Sequence, residues 1–333
     1  MTDKNPDRYY SCVVKNDLPQ GLRLDRYIAE YLVLFSRSQI KTRKLKALLN
    51  NKQVKISRIL KGGETLELFW ENPEPVDLIP QDIPLDIVYE DKRVAVINKE
   101  QGMVVHPGAG NHTDTLANAL YYKLLQKHNG SGTNPGNFNS DSLNPASCRP
   151  GIIHRLDKDT SGLIITAWDA EAHKFCADQF KKRKVIKTYA AIVHGCPAAE
   201  KGIIEQPIAR SRHNRKLFTV NPDGKPSITR YKVVQTFNNY SLLLLRPKTG
   251  RTHQIRVHLK HIGHPVLGDP LYGKPLSLTA ASRFPGLSLM LHAKRLSIVL
   301  PGKEVLGKQT FRTILPKRFR NLIKQLKNEI KSY

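Results

Sequence analysis

The sequence predicts an α+β protein, a small basic module of helices and short strands followed by a larger and mostly β domain. Three observations predict it. Helical spacing at Leu24, Ile28 and Leu32 gives way to strand alternation at Val54 and Ile56, then at Leu66 and Leu68. A proline-rich break follows, and from Lys184 to Leu300 the apolar pattern is mainly of period two. The chain then closes on Phe319, Leu322, Ile323, Leu326 and Ile330, whose spacing predicts a final helix over 319–333. Its basic outer face could meet a polyanion, but packing on the core is the simpler reading.

The elements can be justified in order. Leu24, Ile28 and Leu32 lie on one face of a first helix. Ser36-Arg37-Ser38-Gln39 is a capping-box pattern, in which the Ser36 hydroxyl takes the third amide while Gln39 reaches back. It predicts a second helix with Arg37, Lys41 and Lys44 on one face, and Ile40 and Leu48 among the apolar residues for the other. The Gly62-Gly63 turn and its flanking alternations predict a small β-element. Residues 21–62 carry eleven Lys and Arg, Arg26 and Arg43 among them, against Asp25 and Glu30 alone. That imbalance favours a nucleic-acid surface over an ordinary solvated face. The module is placed at 18–75. Three prolines in Glu71–Pro80 then predict a linker, 76–82, before a domain at 83–318.

Strands Leu85–Tyr89 and Val94–Ile97 open that domain, and Thr188–Val193, Thr229–Thr236 and Leu242–Leu245 continue it. Residues 126–149 are aperiodic and rich in Asn, Gly, Ser and Pro, so they predict a surface insertion. Gly130, Gly132 and Gly136 within it miss the dinucleotide spacing, and no strand leads into them. No Walker A motif occurs, so no nucleotide cofactor is expected.

Charge narrows the function. The 333 residues hold 54 Lys and Arg against 28 Asp and Glu, a net charge of +26. A chain 40% hydrophobic and 25% charged fits a folded domain of ample core. No apolar run approaches the ~18 residues of a membrane helix. The polar stretch 1–10 fits neither a signal nor a transit peptide. Four cysteines without a C-x-x-C pair argue against a disulfide framework or a Cys-based zinc site. A cytoplasmic protein with a polyanionic partner is expected, with nucleic acid ahead of an anionic membrane surface.

Two constellations could carry chemistry. In His154–Ala167, four charged residues (Arg155, Asp157, Lys158, Asp159) stand before the apolar run Leu163–Ile165, which reads as a buried strand. A carboxylate there sits at the core rim among cations that favour its ionised form, as a nucleophile requires. A structural ion-pair cluster is the equal alternative. Asp157 and Asp159 should not converge, because positions two apart diverge in a strand or a helix. In Leu242–Leu259 a strand ends at Pro247, turns through Thr249-Gly250 and enters a helix carrying Arg251, Ile255 and His258 on one face. Arg251 is placed to grip a carboxylate or phosphate in a cleft. His258 and His261 keep helical spacing but have no cysteine nearby in sequence, so a polar framework is favoured and no metal is expected.

At these residues a resemblance appears. HRLDKDTSGL (154–163), KTYAAIVHG (187–195) and TGRTHQIRVHL (249–259) resemble the three motifs of the RluA family of pseudouridine synthases. GHPVLGDPLYG (263–273) and LHA (291–293) resemble further signatures. PQDIPLDIVYED (80–91) and VVHPGAGN (104–111) are most similar to the ribosomal large-subunit pseudouridine synthase D branch, and 18–75 resembles an S4 RNA-binding domain. Two departures are Glu100 where the family has Pro after I-N-K, and Asn50-Asn51 where Asn-Gly is common in the S4 turn.

The resemblance implies a catalytic domain with a long mixed, mostly antiparallel sheet. It implies isomerisation of uridine within RNA: the N1–C1′ bond breaks, uracil turns, and a C5–C1′ bond forms without cofactor or metal. Asp157 would be the nucleophile, acting at C6 of uracil or C1′ of ribose, with Arg251 as its ion-pair partner. Tyr189, by pattern an ordinary strand aromatic, would pack on the uracil near the proton lost from C5. Ile255, by pattern a core residue, would form the other wall. Arg155 is the candidate to fill the gap left by a flipped uridine. In the S4-like module, RNA contacts fall to Arg26, Arg37, Lys41, Arg43 and Lys44. The expected substrate is large-subunit rRNA, free or in an assembling subunit, and the enzyme a monomer with no membrane partner. The alternatives are a sister-branch synthase for other rRNA or tRNA uridines, and a non-catalytic S4-type assembly factor. The intact set Asp157, Tyr189 and Arg251 speaks against the last.

Overall fold

The computed structural model describes residues 9–32, 34–35, 40, 43–71, 78–108, 110–129, 151–273, 284 and 286–331. The Ser36 capping box, Arg37, Lys41 and residues 130–149 of the expected insertion lie outside them. The chain divides into two compact units, 1–76 and 77–333.

The first unit contains β1 (Tyr9–Val13), α1 (Leu24–Arg26, continued by a π-turn at Tyr27–Tyr31), β2 (Lys46–Leu49), β3 (Lys52–Val54) and β4 (Thr65–Phe69). Its antiparallel sheet runs β1-β4-β2-β3. The period-two pattern of β4 turns Leu66 and Leu68 inward, where they meet Leu24 and Ile28 in one buried cluster. The β2–β3 turn has both Asn50 (φ 49°) and Asn51 (φ 63°) in the left-handed region. A two-residue hairpin loop needs that geometry, and Asn tolerates it, so Asn-Asn can replace Asn-Gly. The Asn50 side chain also accepts the Thr65 amide at 2.8 Å. Two expectations change. Leu48 lies on β2, not on a helix, because Lys44 adopts φ 45° and the strand that follows pairs with β4. The unit also starts before residue 18, since β1 pairs with β4.

The second unit is built on β5 (Ile87–Glu90), β6 (Val94–Lys99), β7 (Ser161–Ala167), β8 (Ile186–His194), β9 (Lys201–Glu205), β12 (Ile228–Phe237), β13 (Tyr240–Pro247), β14 (Leu291–Val299) and β15 (Lys308–Arg312). β10 (Ile208–Arg210) and β11 (Phe218–Val220) form a separate hairpin. Among the described residues four α-helices complete it: α2 (Leu116–Asn129), α3 (Ala170–Lys181), α4 (Gln254–His261) and α5 (Lys317–Lys331). The main sheet runs β5-β6-β7-β14-β8-β13-β12-β9, with β15 on β14. Among the described residues only β7 and β14 of this sheet pair in parallel, so it is mixed and mostly antiparallel.

Strand alternation separates the two faces. Val94 and Val96 pack with Ala172 and Cys176 of α3, whereas Ala95 and Ile97 pack with Leu116 and Leu120 of α2. β8 and β13 bury apolar residues against Leu259 of α4 and against Phe319, Leu322 and Leu326 of α5. Where β7 meets β14, Gly162 takes φ 112°, and a Cβ there would lie 2.4 Å from the Ala293 carbonyl oxygen. Only glycine fits. Residues 78–82, expected as linker, belong to this unit: Leu78 is buried, and Asn118 donates to the Ile79 carbonyl at 2.8 Å. Residues 126–129, expected in the insertion, form the last turn of α2. Among the described residues no helix is long and apolar enough to cross a membrane.

α5 is tied to the sheet by a polar triad. Arg318 donates to Ser161 Oγ at 2.6 Å, and Ser161 pairs with Nδ1 of the fully buried His292 at 2.9 Å. Burial, then the Arg318 charge, pushes His292 down to about 3. The unfolded chain therefore takes a proton near pH 6.5 that the folded chain refuses until about pH 3. Stability should fall as pH falls through that window, by up to about 1.4 kcal/mol per pH unit for this one proton. Denaturant midpoints between pH 7 and 4 should show a shallower decline for His292→Asn than for wild type. Equal slopes would mean that His292 protonates freely in the fold.

Candidate active site

A cleft of about 560 Å³ is walled by the turn before β7, the start of β8 and the loop between β13 and α4. The turn carries Asp157 and is closed by the Thr160 amide on the Asp157 carbonyl at 3.1 Å. It is pinned from the end of β6. The buried Lys99 ammonium donates to the carbonyls of Glu100 (2.7 Å), Met103 (2.8 Å) and Lys158 (3.0 Å). Burial lowers its pKa to about 8, against the charges of Asp159 and Asp157 that favour the cation. Glu100 replaces the expected proline without loss, because its carbonyl is the group used. Nearby, His154 Nε2 accepts the Ile165 amide at 3.1 Å and its ring stacks on Phe180. Burial holds His154 down to about 3, so it serves as a neutral acceptor.

The Asp157 side chain is 22% exposed, and its Oδ2 lies 3.5 Å from Nη1 of Arg256. Arg256 is itself buried and grips Asp269 with a fork of 2.7 and 2.6 Å. Asp269 in turn accepts the amides of Leu271 (2.9 Å) and Tyr272 (3.0 Å). Burial disfavours the Arg256 cation, but Asp269 and then Asp157 outweigh it and raise its pKa. The guanidinium is thus fixed by one carboxylate and presented to another.

This corrects the expected role of Arg251. Among the described residues the ion pair to Asp157 comes from Arg256. Arg251 precedes α4, because His253 takes a left-handed φ of 55° at the helix start and delays it to Gln254. The loop is held by Gln254, whose Oε1 accepts from Thr249 Oγ1 (2.7 Å) and the Arg251 amide (3.1 Å). Arg251 lines the same cleft, and its buried Nε has no hydrogen-bond partner among the described residues.

Tyr189, half-buried on β8 opposite Leu245 and Ala293, lines the cleft. Its hydroxyl pKa is raised by burial and by the Asp157 charge. Ile255 both lines the cleft and joins the core cluster of Leu259 and Leu291. Arg155 is exposed at the cleft. Asp159 does not line it, as its divergence from Asp157 requires. Both ring nitrogens of His258 are engaged, by Thr229 Oγ1 at 2.9 Å and the Gln206 carbonyl at 3.0 Å. It is framework, not ligand. Among the described residues Asp157 is the single carboxylate lining the cleft, while Lys181, Arg183, Lys187 and Lys248 add to its arginines. Such a site suits a polyanion and one nucleophile. In the first unit Arg26 pairs with Glu30 at 2.9 Å, Lys44 pairs with Glu71 at 2.8 Å, and Arg43 lies over Phe35.

Arg256, Asp269 and Lys99 were missed from sequence. The signals were present: a carboxylate inside an otherwise apolar GHPVLGDPLYG, and a lysine ending the apolar run of β6.

Residues 93–261, from β6 through α4, match the sequence pattern described as RNA pseudouridylate synthase. The chain belongs to that family. As a pseudouridine synthase it is an isomerase. Over 309 residues it is 40% identical to the ribosomal large subunit pseudouridine synthase D of Borreliella burgdorferi, covering 90% of this chain and 88% of that one. It is 38% identical to the protein of the same description from Zymomonas mobilis, covering 92% and 94%. The fold is similar to human RNA pseudouridylate synthase domain containing 4, with a TM-score of 0.55 at 25% identity over 72% of this chain and 92% of that one.

Proposed function

We propose that this pseudouridine synthase acts on uridine in large-subunit ribosomal RNA, with Asp157 as the nucleophile. The observation that carries the catalytic assignment is Asp157 itself, the single carboxylate lining a cationic cleft among the described residues. Arg256 presents its guanidinium to this carboxylate at 3.5 Å. Tyr189 and Ile255 offer an aromatic and an aliphatic wall for a planar base. The uridine is flipped out to reach them, and Arg155 at the cleft occupies the gap or holds the displaced strand. Asp157 adds to the base or the sugar, N1–C1′ opens, the uracil turns, and C5 bonds to C1′. The C5 proton leaves and the carboxylate is released, so no atom or electron is gained. Arg251 contacts substrate rather than Asp157, in keeping with its place in the cleft wall. The large-subunit target is supported by the relatives' descriptions and by the net charge of +26. The chain works as a monomer in the cytoplasm.

Residues 1–76 serve as an S4-like RNA-binding module, supported by the density of Arg26, Arg43, Lys44 and their neighbours. Exposed ion pairs such as Arg26–Glu30 are weak, so a phosphate can displace them. A 77–333 fragment should keep turnover at saturating RNA and bind more weakly. On single-stranded RNA its log K against log salt should be shallower by about 0.7 for each phosphate that the fragment no longer neutralises. An unchanged slope would assign RNA binding to Lys181–Lys187 and α5 instead.

A further inference from the structure

The β10–β11 hairpin stands apart from the main sheet and carries an uncompensated charge. Between Arg210 and Lys216 there are four Lys and Arg and no carboxylate. Arg212, Arg215 and Lys216 are exposed, and Arg212 reaches Asp223 only at 3.9 Å with both side chains more than four-fifths exposed. Three-residue strands make a marginal hairpin on their own, so its position depends on what its base touches. That base is Ile208 with Phe218 and Val220, packed on Val257 of α4 and on the buried Tyr272.

Tyr272 stands between this hairpin and the cleft. Its hydroxyl accepts the Phe218 amide at 2.9 Å and pairs with His253 Nδ1 at 2.8 Å. The His253 ring, which lines the cleft, is edge-on to both Phe218 and Tyr272. The other side of the connection is the Tyr272 ring, with the Arg256 guanidinium 5.1 Å from its centre. Arg256 in turn faces Asp157. One side chain thus joins the backbone of a cationic hairpin to the cation beside the proposed nucleophile.

We propose that Tyr272 is a positioning residue, a latch whose hydroxyl fixes the β10–β11 hairpin against the cleft so that its tip cations hold RNA phosphates in register with Asp157. This rests on the reading of the chain as an RNA pseudouridine synthase. Phosphate contacts fix register rather than sequence, so they are useful only if their own position is fixed. The latch provides that. Without it RNA binding should loosen, while the ring of a phenylalanine preserves the Arg256 stacking.

The test is a double-mutant cycle in the full chain: Tyr272→Phe, the pair Arg212→Ala with Arg215→Ala, and the three combined. Affinity for an rRNA fragment and turnover are both measured, and unfolding midpoints establish that all four proteins are folded. Tyr272→Phe should weaken RNA affinity about fivefold, the ratio of one net hydrogen bond, and raise KM more than it lowers kcat. With the tip cations already removed, the same substitution should weaken affinity by less than about twofold. Independent, multiplying effects would overturn the latch, as would a loss of kcat with RNA affinity unchanged. Absence of wild-type turnover would contradict the synthase reading itself, and the affinity cycle reports on the latch separately.

Discussion

Asp157→Asn should abolish isomerisation, by about a thousandfold or more, while leaving RNA affinity within a few-fold. The substitution is nearly isosteric and removes only the charge proposed to act as nucleophile. Binding rests on phosphate contacts made by the surrounding cations, none of which is altered. Tritium release from C5-labelled uridine RNA reads the chemistry, and titration of the same RNA reads the affinity. Turnover near wild type would mean that Asp157 belongs to a structural ion-pair cluster, the alternative its sequence context leaves open.

The second large effect is at Arg256. Arg256→Lys keeps the charge but replaces a planar fork with a point donor on a flexible stem. Lysine can meet one Asp269 oxygen, not both, and cannot also face Asp157. Losing one of the two charged hydrogen bonds of this fork costs about 1.5–3 kcal/mol. Part should appear as a lower unfolding midpoint and part as a turnover reduced by about a hundredfold. Asp269→Asn should have a similar profile, because it frees the same guanidinium from the other side. A Lys variant with normal turnover would show that Asp157 needs neither the fork nor its neighbour.

Legibility differed between contacts close in sequence and contacts made by the fold. Asp157, Tyr189 and Ile255 all line the cleft, and each sits in an ordered motif with its local structure: the turn before β7, the middle of β8, the first turn of α4. The strand alternations of β4, β6 and β8 were legible for the same reason. The partner of Asp157 was not. Periodicity places Arg251 on the helix, but a left-handed His253 moves the helix start and brings Arg256 into the cleft. Backbone φ at one residue leaves no trace in an apolar pattern. Asp269 lies 13 residues beyond Arg256 and meets it only through the turn at 266–273. Lys99 ends the apolar run of β6, and its burial depends on three carbonyls gathered from two segments. Leu48 failed differently. Its apolar neighbours fit a helix or a strand equally, and pairing with β4 decided the matter.

If Asp157 isomerises uridine in large-subunit rRNA, the modification can be restored to unmodified rRNA in vitro. Large-subunit rRNA from cells lacking this gene is incubated with the purified protein or with Asp157→Asn, and pseudouridines are mapped by carbodiimide-dependent stops in reverse transcription. New stops are expected at a small number of uridines with wild type and none with the variant. No new stop with wild type, or the same stops with both proteins, would contradict this expectation.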